Sequence, residues 1–253
     1  MRADRRLVLA ALPAAAALLA APRIARAVGA PDMAAFVEPT LAPALGLLGR
    51  QFRDRTGARV HIFSAPSIMM VREIPFTLAD LAVLQTDALG VARAAGNVVA
   101  ASPTVTLGSN GLVIARRGAG PTVPLAALKP DGPLGVVDAP MPDILGAASH
   151  QALDRAGWPS SQTRILGVAR NADALFLLKT GGASLAVVYR TDVTADPDLS
   201  VAATLPAPDV SLSYAATLSA KPSSPLAPAF LDFLALPGSI AQFRSAGLEN
   251  PPA

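Results

Sequence analysis

The chain contains no cysteine and few aromatic residues. Of its 253 residues, two are histidine and 4% are aromatic. The lack of cysteine excludes disulfide bonds, thiolate metal sites, a cysteine nucleophile and a lipidated N-terminal cysteine. The composition is 52% apolar, so a globular core has to be built mainly from alanine, leucine and valine. The length allows one large domain or two small ones.

Common catalytic and cofactor-binding motifs are also missing. The sequence has no G-x-S-x-G, H-E-x-x-H, P-loop or G-x-G-x-x-G pattern. Its two histidines, His61 and His150, fall within a predicted strand and a predicted helix. Met69 and Met70 could form a soft-metal site together with His61. The simpler interpretation is that one of the two methionines packs in the core. The sequence therefore predicts no enzymatic activity, no metal site and no cofactor.

The first 27 residues have the pattern of a cleaved signal peptide. Arginines precede an uncharged run over residues 7–22, and an A-x-A cleavage site follows at residues 25–27. The run is shorter than the ~20 apolar residues of a spanning helix and contains Pro13, which disfavours a membrane anchor. Arg5 and Arg6 also resemble a twin-arginine signal, so that export route is one candidate.

The basic character of the chain comes largely from this leader. The chain has 21 basic and 18 acidic residues, of which the leader holds five arginines and one aspartate. The remaining 16 basic and 17 acidic residues nearly balance. Charge therefore gives no reason to expect binding to nucleic acid or to an anionic membrane surface.

Beyond the leader, short apolar runs typical of buried strands alternate with segments of helical periodicity. A strand beginning at Phe36 leads into the first helix, and further strands are predicted over residues 59–64, 80–84, 111–116, 134–138, 165–169 and 184–190. Helices are predicted over residues 41–56, 67–74, 144–156 and 172–180, with two short C-terminal helices separated at Pro237-Gly238. The uncharged stretch before residue 111 is predicted as a loop. The alternation predicts an α/β architecture with mostly parallel sheets, where ligands lie beyond the carboxyl ends of strands.

Three predicted helices begin after a strand with a residue type that commonly caps helices. These residues are Thr40, Ser67 and Asn171. Plain capping is the simplest role for any one of them. If the three helix starts converge, their hydroxyls and free N–H groups would surround a small anion without any cation. Glu38, two residues before Thr40, is itself an anion and would oppose that role.

The order of these segments resembles the periplasmic molybdate-binding proteins of ABC transporters. The resemblance runs through TLAPALGLLGRQFRDRTGARV, SIMMVREI, ADLAVL, LGSNGLVIAR, LKTGGASLAVVYRTDV, VAATLP and FLDFLALPGSIAQFRSAGL. It implies the two-lobed type II periplasmic binding protein fold, with a central cleft and two crossovers. Lobe one would comprise residues 31–112 plus 208–253, and lobe two residues 113–207. Such a protein captures its solute by hinge closure, and a membrane permease recognises the closed form.

The resemblance also implies five ligand residues. Hydroxyl ligands of the family match Thr40, Ser67 and Tyr189, and backbone N–H ligands match Gln85 and Asn171. With such groups the family holds tetrahedral oxyanions such as molybdate or tungstate, without arginine or lysine.

The sequence departs from the family's pattern around the first ligand. The alanine run that usually precedes it reads VEP, which introduces Glu38 and Pro39, and Gln85 stands where a small residue is usual. Glu38 is therefore a candidate specificity modifier. It would repel a dianion unless it pointed into solvent, paired with an arginine such as Arg72, or carried a proton. Two alternatives stay open: a changed ligand (a carboxylate, a neutral solute or a metal ion held by Glu38), or a periplasmic accessory protein not linked to transport.

The resemblance and the missing cysteine together predict the location and the partners. An exported binding protein without a lipid anchor would diffuse away unless an enclosed compartment retained it, which points to the periplasm of a bacterium with two membranes. The predicted partners are a small oxyanion and an ABC permease in the inner membrane. Nucleic acid is not an expected partner, and the chain is predicted to be a monomer.

Overall fold

The computed structural model describes residues 32–129, 131–137, 144–158, 164–209 and 211–250. The signal peptide predicted over residues 1–27 lies outside this part of the chain. The strands are β1 (Met33–Val37), β2 (Val60–Ser64), β3 (Leu81–Gln85), β4 (Val105–Ser109), β5 (Leu112–Arg117), β6 (Leu134–Val137), β7 (Ile165–Val168), β8 (Leu185–Tyr189), β9 (Leu199–Thr204) and β10 (Ser213–Leu218). The α-helices are α1 (Ala42–Thr56), α2 (Ser67–Glu73), α3 (Thr86–Ala94), α4 (Ile144–Arg155), α5 (Asn171–Thr180), α6 (Arg190–Ala195), α7 (Ala227–Ala235) and α8 (Pro237–Ser245). Short 3₁₀ turns lie at Pro39–Leu41, Ile74–Phe76 and Leu125–Ala127.

The strands form two five-stranded mixed sheets. The first has the order β2-β1-β3-β10-β4, in which β1, β2 and β3 are parallel and β10 is antiparallel to β3 and β4. The second has the order β7-β6-β8-β5-β9, in which β6 is parallel to β7 and β8, and β5 is antiparallel to β8 and β9. The same arrangement, a parallel half and an antiparallel half, therefore occurs in each lobe.

The chain passes between the two sheets twice. It leaves the first sheet after Ser109 and enters the second at Leu112, then returns between Thr204 and Ser213. The two crossovers touch each other, because the Asn110 N–H donates to the Leu212 carbonyl oxygen at 2.9 Å. The predicted two-lobed α/β architecture with two crossovers is confirmed.

Helix α1 holds the first candidate ligand segment against the first sheet. Its apolar stripe is buried, as the helical spacing predicts, at Leu41, Leu45, Leu48 and Phe52. The ring of Phe52 meets that of Phe230 from α7 edge to face, with 4.9 Å between centroids. Burying each such side chain contributes about 1.5–3 kcal/mol, so the stripe anchors α1 and the 3₁₀ turn that precedes it.

Five elements were not predicted from the sequence: β4, β9, β10, α3 and α6. Strand β4 lies within the stretch predicted as a loop, so that prediction is wrong. Its sequence, VTLGS, has a glycine and little apolar alternation, and it forms a strand because β10 pairs with it. The partner is about 100 residues away in the chain, and the local sequence carries no signal of that pairing.

Strands β2 and β7 were predicted as buried but lie at sheet edges. Both end the strand order of their sheet, and neither contains a fully buried residue. Their apolar composition is typical of a buried strand, while their position in the sheet depends on which strands pair over long distances. No helix in the described part of the chain is long and apolar enough to cross a membrane.

Candidate functional site

Three neighbouring parallel strands bring Glu38, Ser67 and Gln85 to one edge of the first sheet. Glu38 follows β1, Ser67 begins the helix after β2, and Gln85 ends β3. Because the order is β2-β1-β3, the carboxyl ends of these strands lie side by side. All three residues are buried, with 8%, 3% and 3% of their surface exposed. The sequence prediction that Ser67 and Gln85 belong to one candidate site agrees with this arrangement.

The carboxylate of Glu38 is hydrogen-bonded to Ser67. Glu38 Oε2 accepts the Ser67 N–H at 2.7 Å, and the Ser67 hydroxyl donates to the same oxygen. The Gln85 N–H donates to Ser67 Oγ at 3.0 Å. Of the donors that the resemblance assigns to a solute, those of Ser67 and Gln85 are thus engaged within the chain, and the oxygen that Ser67 binds belongs to a carboxylate.

The backbone around Glu38 explains why its side chain is turned inward. The Glu38 N–H donates to the Val83 carbonyl oxygen and the Glu38 carbonyl oxygen accepts the Leu41 N–H, both at 2.9 Å. Pro39 then begins the 3₁₀ turn. With its backbone held on both sides, Glu38 extends toward the β2–α2 connection. The sequence left open whether the Glu38 side chain points into solvent, and the structure excludes that orientation.

The three residues predicted as helix caps lie inside their helical segments instead. Thr40 is within the 3₁₀ turn, Ser67 is the first residue of α2 after Pro66, and Asn171 is the first residue of α5 after Arg170. The N-cap positions are Glu38, Pro66 and Arg170, and none of these makes a side-chain capping hydrogen bond, so the capping predictions for Thr40, Ser67 and Asn171 are wrong. The side chains of these residues are left available for other contacts.

Two buried hydroxyls lie beside Glu38. Thr40 Oγ1 and the Tyr214 hydroxyl are buried and have no hydrogen-bond partner of normal geometry among the described residues. Tyr214, on β10, lies close to the side chains of Thr40, Gln85 and Asn110, and its pKa is raised by burial and by the charge of Glu38. Tyr214 was missed from the sequence, although it is one of only two tyrosines.

In the second lobe, Asp192 joins the two predicted residues. Its Oδ2 accepts the Asn171 side-chain N–H at 2.8 Å and the Tyr189 backbone N–H at 3.1 Å. Burial raises the pKa of Asp192 to about 6, and the hydrogen bonds from Asn171 and Tyr189 act in the opposite direction. Asn171 Oδ1 is buried without a partner among the described residues. Asp192 was not predicted, since its role depends on α5 and α6 meeting in space.

The two groups of residues face each other across the lobes. Helix α6, whose N-cap is Tyr189, packs against the 3₁₀ turn that contains Thr40. Beside this contact, the Asn110 side-chain N–H of the first crossover donates to Thr191 Oγ1 at 2.9 Å. The structure therefore brings residues from both lobes to one region, next to the crossovers.

The site combines carboxylates with neutral polar groups. Its acidic members are Glu38 and Asp192, and none of the predicted ligand residues is a cation. Across the described part of the chain, no three histidine, aspartate or glutamate side chains lie together as a metal site would need. Met70 is buried and Met69 exposed, so Met70 fills the core as expected.

Residues 34–249 match the model of the bacterial extracellular solute-binding proteins. The chain belongs to this family. No curated protein sequence matches the chain significantly. Among solved structures, it is similar to the periplasmic molybdate-binding protein of Azotobacter vinelandii, with TM-score 0.69 and 18% identity over 87% of this chain and 100% of that one.

Two further solute-binding structures show the same fold. The substrate-binding domain of a candidate molybdenum ABC transporter from Clostridium difficile has TM-score 0.72 and 15% identity, covering 88% of this chain and 100% of that one. The sulfate-binding protein SubI of Mycobacterium tuberculosis has TM-score 0.63 and 15% identity, covering 87% and 86%. These likenesses identify the type II periplasmic binding protein fold, as predicted from the sequence.

Proposed function

We propose that the chain is the periplasmic solute-binding component of an ABC transporter and captures a small oxyanion such as molybdate or tungstate. Membership of the solute-binding family supports the general role. The choice of an oxyanion rests on one observation: the N–H and the hydroxyl of Ser67 both donate hydrogen bonds to a carboxylate oxygen, that of Glu38. The same two donors suit an oxyanion oxygen, since hydrogen bonds to a charged acceptor are the stronger ones.

The remaining contacts of the solute would come from both lobes. Thr40, Ser67 and Gln85 would act from lobe one, residues 31–112 plus 208–253, and Asn171 and Tyr189 from lobe two, residues 113–207. The Tyr214 hydroxyl would add a sixth candidate group, beside Glu38. A solute that bridges both sets stabilises the closed arrangement, which the permease would recognise. Under this proposal the chain is a monomer and performs no catalysis.

A second candidate ligand is a neutral or cationic polar solute. The observation that favours it is the pair of carboxylates, Glu38 in lobe one and Asp192 in lobe two. A dianion about 4 Å from one carboxylate charge would be opposed by about 4 kcal/mol per unit-charge pair at an effective dielectric of 20. A solute that donates hydrogen bonds would instead gain from both carboxylates.

A ligand screen by thermal unfolding tests the proposed function. Molybdate, tungstate and sulfate form one panel, and neutral and cationic polar solutes a second. A ligand at 100 times its dissociation constant adds about 2.7 kcal/mol of stability, which corresponds to a rise in Tm of about 5–10 °C for a protein of this size. A rise with the first panel supports the oxyanion, and a rise with the second alone replaces it with the second candidate.

The proposed location has its own test. We expect the exported protein to begin near Val28, because the A-x-A pattern ends at residue 27. Mass spectrometry of a periplasmic extract measures this mass directly. Detection of the intact leader on membrane-bound protein would contradict the proposal.

A further inference from the structure

The carboxylate of Glu38 lies where a solute oxygen would bind. We propose that Glu38 is a specificity-determining residue: its carboxylate takes, within the chain, the place of an oxyanion oxygen at Ser67. External oxyanions then bind the native protein only in competition with Glu38. This inference rests on the proposed function of the cleft as a solute site, and it concerns which solutes the native site admits.

The hydrogen bonds leave no spare donor on Ser67. Its hydroxyl accepts the Gln85 N–H, so its own proton is directed to Glu38. Its backbone N–H is directed to the same oxygen of Glu38. A solute oxygen can therefore use these donors only when the carboxylate leaves them.

Glu38 is also held so that it competes effectively. Hydrogen bonds to Val83 and from Leu41 fix its backbone on both sides, and only 8% of the residue is exposed. A group that is attached and oriented acts at a far higher effective concentration than the same group free in solution. The hydroxyls of Thr40 and Tyr214, which lie beside it, carry no charge.

Removing the carboxylate should open the position to an external anion. In a Glu38→Ala variant, the N–H and hydroxyl of Ser67 would remain buried without their partner, which is unfavourable until another acceptor arrives. Formate reproduces the missing carboxylate, and molybdate and sulfate offer the oxygen of the proposed solute. Glu38→Gln keeps the shape of the side chain and removes its charge. It therefore distinguishes two effects of Glu38: electrostatic repulsion of an added anion, and occupation of the Ser67 donors.

Calorimetric titration of the native protein and these variants with molybdate, sulfate and formate tests the inference. Glu73→Ala is the matched control, because Glu73 is an exposed glutamate on the same helix as Ser67. We expect Glu38→Ala to bind at least one of the three anions about tenfold or more tightly than the native protein and the control. Glu38→Gln should gain less, since its amide oxygen can still accept from Ser67.

The possible outcomes separate this inference from the proposed function. If the native protein binds oxyanions as tightly as Glu38→Ala, competition is overturned and the oxyanion function stands. If Glu38→Ala binds anions and the native protein does not, competition by Glu38 is supported. The native solute is then the second candidate, a neutral or cationic polar molecule. If no protein binds any of the anions while circular dichroism shows them folded, both ideas fail. Should Glu38→Ala not fold, a gain in Glu38→Gln supports the inference, and the absence of one overturns it.

Discussion

At the scale of single residues, Tyr189 is the residue of lobe two that we propose to contact the solute through its hydroxyl. It ends β8 and is buried next to α6. We expect Tyr189→Phe to weaken solute binding about 10–100-fold, because losing one hydrogen bond to a charged solute costs about 1.5–3 kcal/mol. Calorimetry with the solute found by the screen measures this, with thermal unfolding as the stability control. Unchanged affinity with a lower Tm would instead assign the hydroxyl a structural role.

Asp192 should make stability depend on pH. Its pKa is raised from 3.8 to about 6 by burial, so the folded state holds the proton more tightly than the unfolded state does. The contribution of Asp192 to stability is therefore fully present below about pH 4, is lost as the pH rises to about 6, and changes little above that. The difference of about two pKa units corresponds to about 3 kcal/mol.

The Asp192→Asn variant tests this dependence. An asparagine oxygen can still accept from Asn171 and Tyr189, and it does not ionise. The stability of the variant relative to native should therefore rise by about 3 kcal/mol between pH 4 and pH 7, as measured by urea unfolding. Asp154→Asn, at an exposed position, is the control and should show no such change. Parallel pH profiles for native and Asp192→Asn would contradict the expectation.

At the scale of elements, the start of β3 is tied to two distant segments by one carboxylate. Asp80 is buried; its Oδ2 accepts the Ala34 N–H at 2.8 Å, and its Oδ1 accepts the N–H groups of Ser223 and Ser224 at 2.6 and 2.8 Å. It thereby joins β1, β3 and the segment before α7.

Asp80→Ala should therefore destabilise the fold without touching the solute. Several buried donors would lose their acceptor, and each unsatisfied group costs about 1–3 kcal/mol, so we expect a loss of at least about 3 kcal/mol. Urea unfolding measures the loss. Asp232→Ala, at an exposed position on α7, should change stability by less than about 0.5 kcal/mol. A loss near zero for Asp80→Ala would show that water replaces the carboxylate.

At the scale of the whole molecule, the two crossovers join the lobes beside the candidate site. Asn110 contacts both the returning crossover and Thr191 of α6, and Arg190 pairs with Glu249 at 3.0 Å across the lobes. We expect solute binding to reduce the radius of gyration measured by small-angle X-ray scattering, because the solute bridges both lobes. The Tyr189→Phe variant should need more solute for the same reduction. Tight binding with no change in the radius of gyration would contradict hinge closure.

Several features of this protein follow from the sequence alone because their causes are local or cumulative. The apolar spacing of Leu41, Leu45, Leu48 and Phe52 specifies α1, and the repeated strand–helix order specifies the α/β class. The order of segments along the chain was sufficient to indicate the solute-binding fold, although the similar structures described above are only 15 to 18% identical. It also placed Ser67 at the start of a helix and Gln85 directly after a run of strand residues, as the structure has them, because both positions follow from local order along the chain.

Other features depended on tertiary structure, because their causes join residues far apart in sequence. Strand β4 exists through its pairing with β10, and β2 is exposed because no further strand pairs beyond it. Asp192 contacts the two predicted residues only because α5 and α6 lie close together, so that its Oδ2 accepts hydrogen bonds from both Asn171 and Tyr189. The sequence showed that Glu38 was unusual, but its orientation was decided by the neighbouring order β2-β1-β3. That order puts the donors of Ser67, 29 residues away, within reach of its carboxylate.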